Sequence, residues 1–423
     1  MAPQLAFVKH ARSKLEAVLN EINKLKHSDF PEDAGRSSLL ALEDKLNGEI
    51  KRIDTLPPSP AVGGNFETWE KACVFANRYV ARILPVLGFI LRSTNVRNAF
   101  ELYDPVLRVC RRIFGPEVKL LLSSEWEFSP FTYALGVSNL PDYVLIGLPV
   151  SEAGNGLIVP LVGHEIAHSV WRARTLDRQI EEDVRSSVIA AIKKNADKFS
   201  QVFVDFNPET FSSELFFVEE IAFATTRSVR QCEEEFCDLV GCRIFGDSYL
   251  EAFDYLLSPG FNVRSPKYLD LPDRAKILAN AAKIWGFTDR PDYVSSFRPT
   301  PKRQANPKED LLDSVSDIAT HDMLTKLIDI AVDLCTEHRI PLPSEDASNR
   351  VLKDFEAGVP SDKADNFVDI VNAGWAAMKR EDFWQDHPIL AKNKLGNLSQ
   401  LIFKSMEVAE YNLRIRDVPA TIS

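Results

Sequence analysis

Residues 164–168 read His-Glu-Ile-Ala-His. On a helix, positions four apart lie on one face, a turn from each other. The two imidazoles can then be aimed at one ion. Glu165 is one residue on, so its carboxylate projects beside such an ion rather than onto it. That is where a general base for a metal-bound water must stand. Ala167 is small and lets another segment approach. Pro160 suits the first turn of a helix running through these residues. The bland alternative is an ordinary helix whose histidines are held by hydrogen bonds in the core.

A hydrolytic zinc site needs a third protein ligand and an open fourth position. The stretch QCEEEFCDLVGCRIFG, 231–246, offers a candidate on a helix expected from Ser213 to Phe245 and ending at Gly246. Glu234 would bind the metal. Asp238, four residues on, would accept the outer N–H of a ligating histidine, His164 first, and fix its tautomer. Gly241, three further, would let this helix pack tightly against the one bearing His164 and His168. The rival reading makes Glu233, Glu234 and Glu235 a solvated acidic patch. Two features weigh against it: Asp238 and Gly241 fall together at the supporting positions, and Val229, Phe236, Val240 and Ile244 make the helix otherwise apolar. Glu235 and Glu233 are the alternative third ligands.

Around these motifs the chain reads as mainly helical. Leu15, Val18, Leu19, Ile22 and Leu25 mark one amphipathic helix, and Leu39, Leu42, Leu46, Ile50 and Ile53 mark another, with a turn near Ser28–Gly35. Residues 56–65 break the pattern as a loop. Two helices are expected over 67–114. Residues 118–128 and 142–150 are rich in β-formers and read as strands. A charged helical stretch covers 176–203. The proline-rich segment 286–310 reads as a crossing, and 311–416 as all helix. The fold class is α+β and predominantly helical. The expected division is an N-terminal helical hairpin at 1–56, a motif-bearing domain at 57–290 with its core at 140–285, a linker at 291–310, and a C-terminal helical domain at 311–423.

Composition narrows the partners. The 423 residues carry a net charge of −11, which argues against nucleic acid or an anionic membrane, because a phosphate surface needs a basic face. The most apolar stretch, 81–91, is too short to span a bilayer and contains Pro85. The six cysteines include no CxxC pair, so they read as reduced, mostly buried thiols of a cytoplasmic protein.

His164-Glu165-Ile166-Ala167-His168 followed by Glu234-Glu235-Phe236-Cys237-Asp238 resembles the gluzincin, or thermolysin-like, metallopeptidases. That clan carries HExxH on one helix and ExxxD on a later one. The stretch EFCDLVGCRIFGDSYLEAF is also similar to a set of uncharacterised bacterial metallopeptidase-like proteins, in which the second motif runs into a Gly-Pro/Asp-x-Tyr turn. The resemblance covers roughly residues 140–285. The separation of His168 from Glu234 is far longer than in thermolysin.

The resemblance implies a zincin-like core with a small sheet and a bound Zn2+. It implies hydrolysis of peptide bonds in a protein or peptide substrate, with Glu165 activating the water. It also implies a side-chain donor for the oxyanion. Tyr268 is the first candidate, Tyr249 the second, and Arg274 is either a donor or a buried ion-pair partner. The strand before the HExxH helix would be the edge that pairs with an extended substrate, through Val144 and Ile146. Trp171 is expected to pack beneath the metal helix. The flanking helices offer surfaces for a partner or for self-association. The rival from another class is a catalytically inactive or metal-stabilised helical interaction protein.

Overall fold

The computed structural model describes residues 6–56, 66–93, 99–125, 131–132, 140–258, 265–288, 290–299 and 306–417. The expected loop at 57–65 and the far end of the first expected strand, 126–128, lie outside these residues. Two compact units emerge: Met1–Tyr103 with Pro116–Ala153, and Asp104–Gly115 with Gly154–Ser423.

The first unit begins with α1 (Ala6–Leu25) and α2 (Asp33–Asp54), the expected hairpin. Leu15, Val18 and Ile22 share a core with Leu39, Leu42 and Leu46 because each set repeats at three- and four-residue spacing along one helix face. α3 (Phe66–Arg92) closes this core with Trp69, Ala76, Ile83 and Phe89. The apolar stretch at 81–91 is thus the end of a longer helix. By length and composition, Thr68–Arg92 is long and apolar enough to cross a membrane. α4 (Ala99–Phe114) follows, and its residues from Asp104 group with the second unit.

The sheet has the order β1-β3-β2, with β1 (Lys119–Glu125), β2 (Phe131–Thr132) and β3 (Tyr143–Pro149). β1 and β3 run parallel, Leu120 opposite Val144 and Leu122 opposite Ile146. Six of the seven residues in each are buried, which suits the nearly continuous apolar sequence of β3 and the Leu120–Leu122 run of β1. This corrects the substrate-strand expectation. β3 is the middle strand, and its far side is taken at Ile146 by Thr132 of β2. Val144 and Ile146 are themselves buried, so neither side chain is offered to a ligand.

The second unit carries both motifs. A 3-10 turn at Gly156–Leu161 holds Pro160, so the proline precedes rather than opens α5 (Val162–Ala173). α6 (Leu176–Lys194) and α7 (Ala196–Val202) fill the interval to α8 (Leu215–Phe245), a 31-residue helix. α8 ends at Gly246, whose φ of +60° a side chain would disfavour. α9 (Asp247–Leu257), α10 (Leu271–Ile284) and α11 (Pro307–Glu337) come next. Then follow α12 (Glu345–Glu356), α13 (Phe367–Lys379), the short α14 (Pro388–Ala391) and α15 (Lys394–Asp417).

Among the described residues, part of the expected linker at 291–310 is packed into the fold. Tyr293 and Phe297, inside the supposed linker, are buried, and the Tyr293 hydroxyl donates to Leu250 O at 2.9 Å. Residues 300–305 lie outside the described chain. α11 packs along α8 through a seam of small polar side chains. Ser228 Oγ donates to Ser316 O at 3.2 Å, Ser316 Oγ to Ala224 O at 3.2 Å, and Thr320 Oγ1 to Gln231 Oε1 at 2.7 Å. Hydroxyls of this size let two helices approach while keeping their buried polar atoms satisfied. Further on, α13 and α15 grip the turn that feeds α5. Trp375 Nε1 donates to Leu157 O at 2.8 Å and Gly156 N to Ser399 Oγ at 3.2 Å. The C-terminal helices therefore belong to the same compact unit as the motifs.

α13 begins with a capping box. The Asn366 side chain accepts from the backbone N–H of Val368 and Asp369, while Asp369 accepts from the N–H of Asn366 at 3.2 Å and of Ser344 at 2.8 Å. Burial pushes the Asp369 carboxyl up from its ordinary 3.8 to about 6. In that window the folded chain holds a proton the unfolded chain has released, so stability falls as pH rises through about 6. Asp369→Asn should remove this dependence. The difference in melting temperature, wild type minus variant, is expected to decline from pH 4 to pH 7 in paired thermal melts.

Candidate metal centre

α5 and α8 meet where glycine faces glycine. A Cβ on Gly163 would stand 2.9 Å from Gly241 Cα and 3.1 Å from the Phe245 ring. Gly241 does serve the close approach expected of it. It also makes room for Tyr249, since a Cβ at this position would run into the tyrosine ring. Gly163, its partner on the first motif helix, had no signal beyond its place directly before His164. Trp171 packs beneath α5 against Phe236, ring centroids 5.5 Å apart, as expected.

The close crossing brings the two motifs together. His164 Nδ1 lies 2.8 Å from Asp238 Oδ1, and His168 Nδ1 lies 3.1 Å from Glu233 Oε1. An ionised carboxylate only accepts, so each Nδ1 carries the hydrogen, which leaves Nε2 as the atom that would hold a lone pair when the ring is neutral. The rings stand edge to face, centroids 4.8 Å apart. Glu234 Oε2 is 3.4 Å from His164 Nε2 and 3.9 Å from His168 Nε2. This oxygen is buried and makes no hydrogen bond. Two donors at about 2.0–2.2 Å from one tetrahedral ion stand roughly 3.3–3.6 Å apart. The Glu234 separations are close to that spacing.

The solvated-patch reading of the three glutamates fails, because Glu233 and Glu235 are 4% and 0% exposed. The three divide the work by helical angle. Glu234 faces the histidines. Glu233 orients His168, its other oxygen held by Arg230 Nη1 at 2.8 Å. Glu235 points away, 3.8 Å from Arg274 Nε, and burial together with the charge of Asp238 pushes it up to about 8. The role of Glu233 was not foreseen. Its signal is that it lies one residue before Glu234, as Asp238 lies four after it, so each can serve one histidine.

Asp238 anchors a second layer. Arg274 Nη2 and Nε donate to its Oδ2 at 2.7 and 3.0 Å, and the Tyr249 hydroxyl donates to Oδ1 at 2.8 Å. Burial works to raise this carboxyl, but Arg274, His164 and Tyr249 outweigh it and hold it at about 2. Arg274 is thus the buried ion-pair partner, and Tyr249 supports Asp238. Tyr268 stacks under the Arg274 guanidinium at 4.8 Å, and burial, followed by the charge of Glu234, pushes its phenol upward.

Glu165 is 3% exposed and its Oε2 has no hydrogen-bond partner. Burial raises its carboxyl, while both histidines pull it down. Cys237 joins the centre unannounced by the motifs: donor atoms of His164, His168 and Cys237 all lie within 4.8 Å of one another. The arrangement therefore fits a metal cation, with two imidazoles and a choice of carboxylate or thiol as third donor.

Comparison with protein-family models, with curated proteins and with solved structures gives no match.

Gly163→Ala tests the crossing. Overpacking costs about 1–3 kcal/mol, against about 1 kcal/mol gained by replacing a helical glycine. A net loss of up to about 2 kcal/mol is expected in the stability obtained from denaturant unfolding, together with weaker metal retention in equilibrium dialysis.

Proposed function

We propose that this protein is a zinc-dependent hydrolase of peptide bonds, with a zincin-like centre of the gluzincin type built on α5 and α8. One observation carries the proposal. Both Nε2 atoms face Glu234 Oε2, a buried acceptor without a hydrogen bond, with the unpartnered Glu165 Oε2 on the same motif helix as the histidines. His164, His168 and Glu234 would hold the ion. When bound there, zinc supplies a Lewis acid and brings the pKa of a coordinated water toward neutrality.

The remaining work falls to side chains. Glu165 accepts the proton of the attacking water and passes it to the departing amine. Asp238 and Glu233 keep the two imidazoles in the tautomer that leaves Nε2 free. Tyr268, which lies against the Arg274 guanidinium, would be the side-chain donor to the oxyanion. The sheet belongs to the first unit, so the likeness to gluzincins rests on the two helices alone. The six unpaired, buried cysteines suit a reducing, cytoplasmic setting.

Cys237 favours a second reading, a metal-stabilised helical protein without catalysis, because a thiol beside the two histidines can help complete a closed structural site. Glu165 separates the two, since a structural site has no use for a base. In the hydrolase, Glu165→Gln keeps the metal and loses about 10²–10⁴-fold in turnover, while Glu234→Ala loses most of the metal. Metal content by mass spectrometry and cleavage of a quenched peptide library measure both. Cleavage that survives Glu165→Gln would remove the base from its assigned role.

A further inference from the structure

Beyond Glu234, one more donor group lies beside the two histidines. Cys237 lies three residues after Glu234 on α8, so the two share a helix face. Its side chain is fully buried, and its donor atom lies within 4.8 Å of those of His164 and His168. Burial, followed by the charges of Glu234, Glu233, Glu165 and Asp238, pushes the thiol well above its ordinary range, so only a bound cation would draw off its proton. The Oε2 of Glu165 and that of Glu234 make no hydrogen bond. Cys237 beside the two imidazoles, and Glu234 beside the same imidazoles, thus make four potential donors where a hydrolytic centre needs three and an open position.

We infer that Cys237 is a fourth protein ligand that closes the metal centre in its resting state. The inference rests on the metal-centre reading above. On metal binding the thiol gives its proton to solvent and the thiolate sulfur occupies the position that the attacking water requires. The centre is then latent, with two nitrogens, one carboxylate oxygen and one sulfur around the ion. Hydrolysis would begin when the thiolate is displaced. A mixed set with one thiolate also shifts the preference from hard, oxygen-loving cations toward zinc or cobalt.

Cobalt(II) reports on sulfur directly, through a thiolate-to-metal charge-transfer band in the near ultraviolet. The full chain, stripped with chelator and titrated with cobalt chloride, is expected to bind about one equivalent and to show the band. Cys237→Ala and Cys237→Ser should bind the same amount without it, and with zinc should turn over peptide faster than wild type. Cobalt bound by wild type without the band overturns the thiolate and leaves the metal centre standing. Absence of cobalt binding overturns both. Fully loaded variants with unchanged turnover overturn the latency. The wild-type spectrum decides the central point even if the variants fold poorly.

Discussion

The contact between Gly163 and Gly241 sets the scale of everything around the centre. Two helices whose backbones approach this closely have no room for side chains at the crossing. Residues close by on either helix therefore meet across it at hydrogen-bonding distance. His164 reaches Asp238, and His168 reaches Glu233, because the crossing lies just before both histidines. A wider separation would leave the same residues on the same faces, with water between them. The chemistry of the centre follows from a packing constraint that involves no polar side chain.

The price of closeness is electrostatic. Five carboxylates, those of Glu165, Glu233, Glu234, Glu235 and Asp238, crowd into a few turns of two helices packed in the interior. Arg274 and Arg230 pair with three of them. Taking ionised carboxylates out of water is costly unless each gains a cation or a set of donors. The divergent behaviour of neighbours one turn apart shows how local this is. Asp238 is held low by Arg274, His164 and Tyr249, while Glu235 is pushed up within reach of the same guanidinium. The excess of negative charge facing the imidazoles is the natural surrounding of a cation.

Much of this could be read from residue spacing. Intervals of three and four along α1, α2 and α8 mark the faces that are buried, and the apolar run of β3 marks a strand covered on both sides. His164, Glu165, His168, Glu234 and Asp238 converge as helical geometry demands. What spacing could not convey was contact between distant segments. Gly163, Glu233 and Cys237 acquire meaning only once the two helices cross at a particular rotation. The proline-rich stretch before α11 looks like a linker because prolines also end helices, yet Tyr293 and Phe297 anchor it in the core. The strand taken for a free edge is central because β2, two residues long, is too short to leave a pattern.

The turn at Gly246 ties the far end of the chain to the centre. Asn372 of α13 accepts from Ser248 N at 3.1 Å and donates to Phe245 O at 2.9 Å, so it bridges the end of α8 and the start of α9. α13 also grips the turn ahead of α5 through Trp375. A single helix near the end of the chain thereby fastens both motif helices, one at its entrance and the other at its exit. The smallest fragment able to hold this centre is accordingly far larger than the stretch that spells it. Excising the motifs alone would yield the right letters on two helices with nothing to fix their crossing.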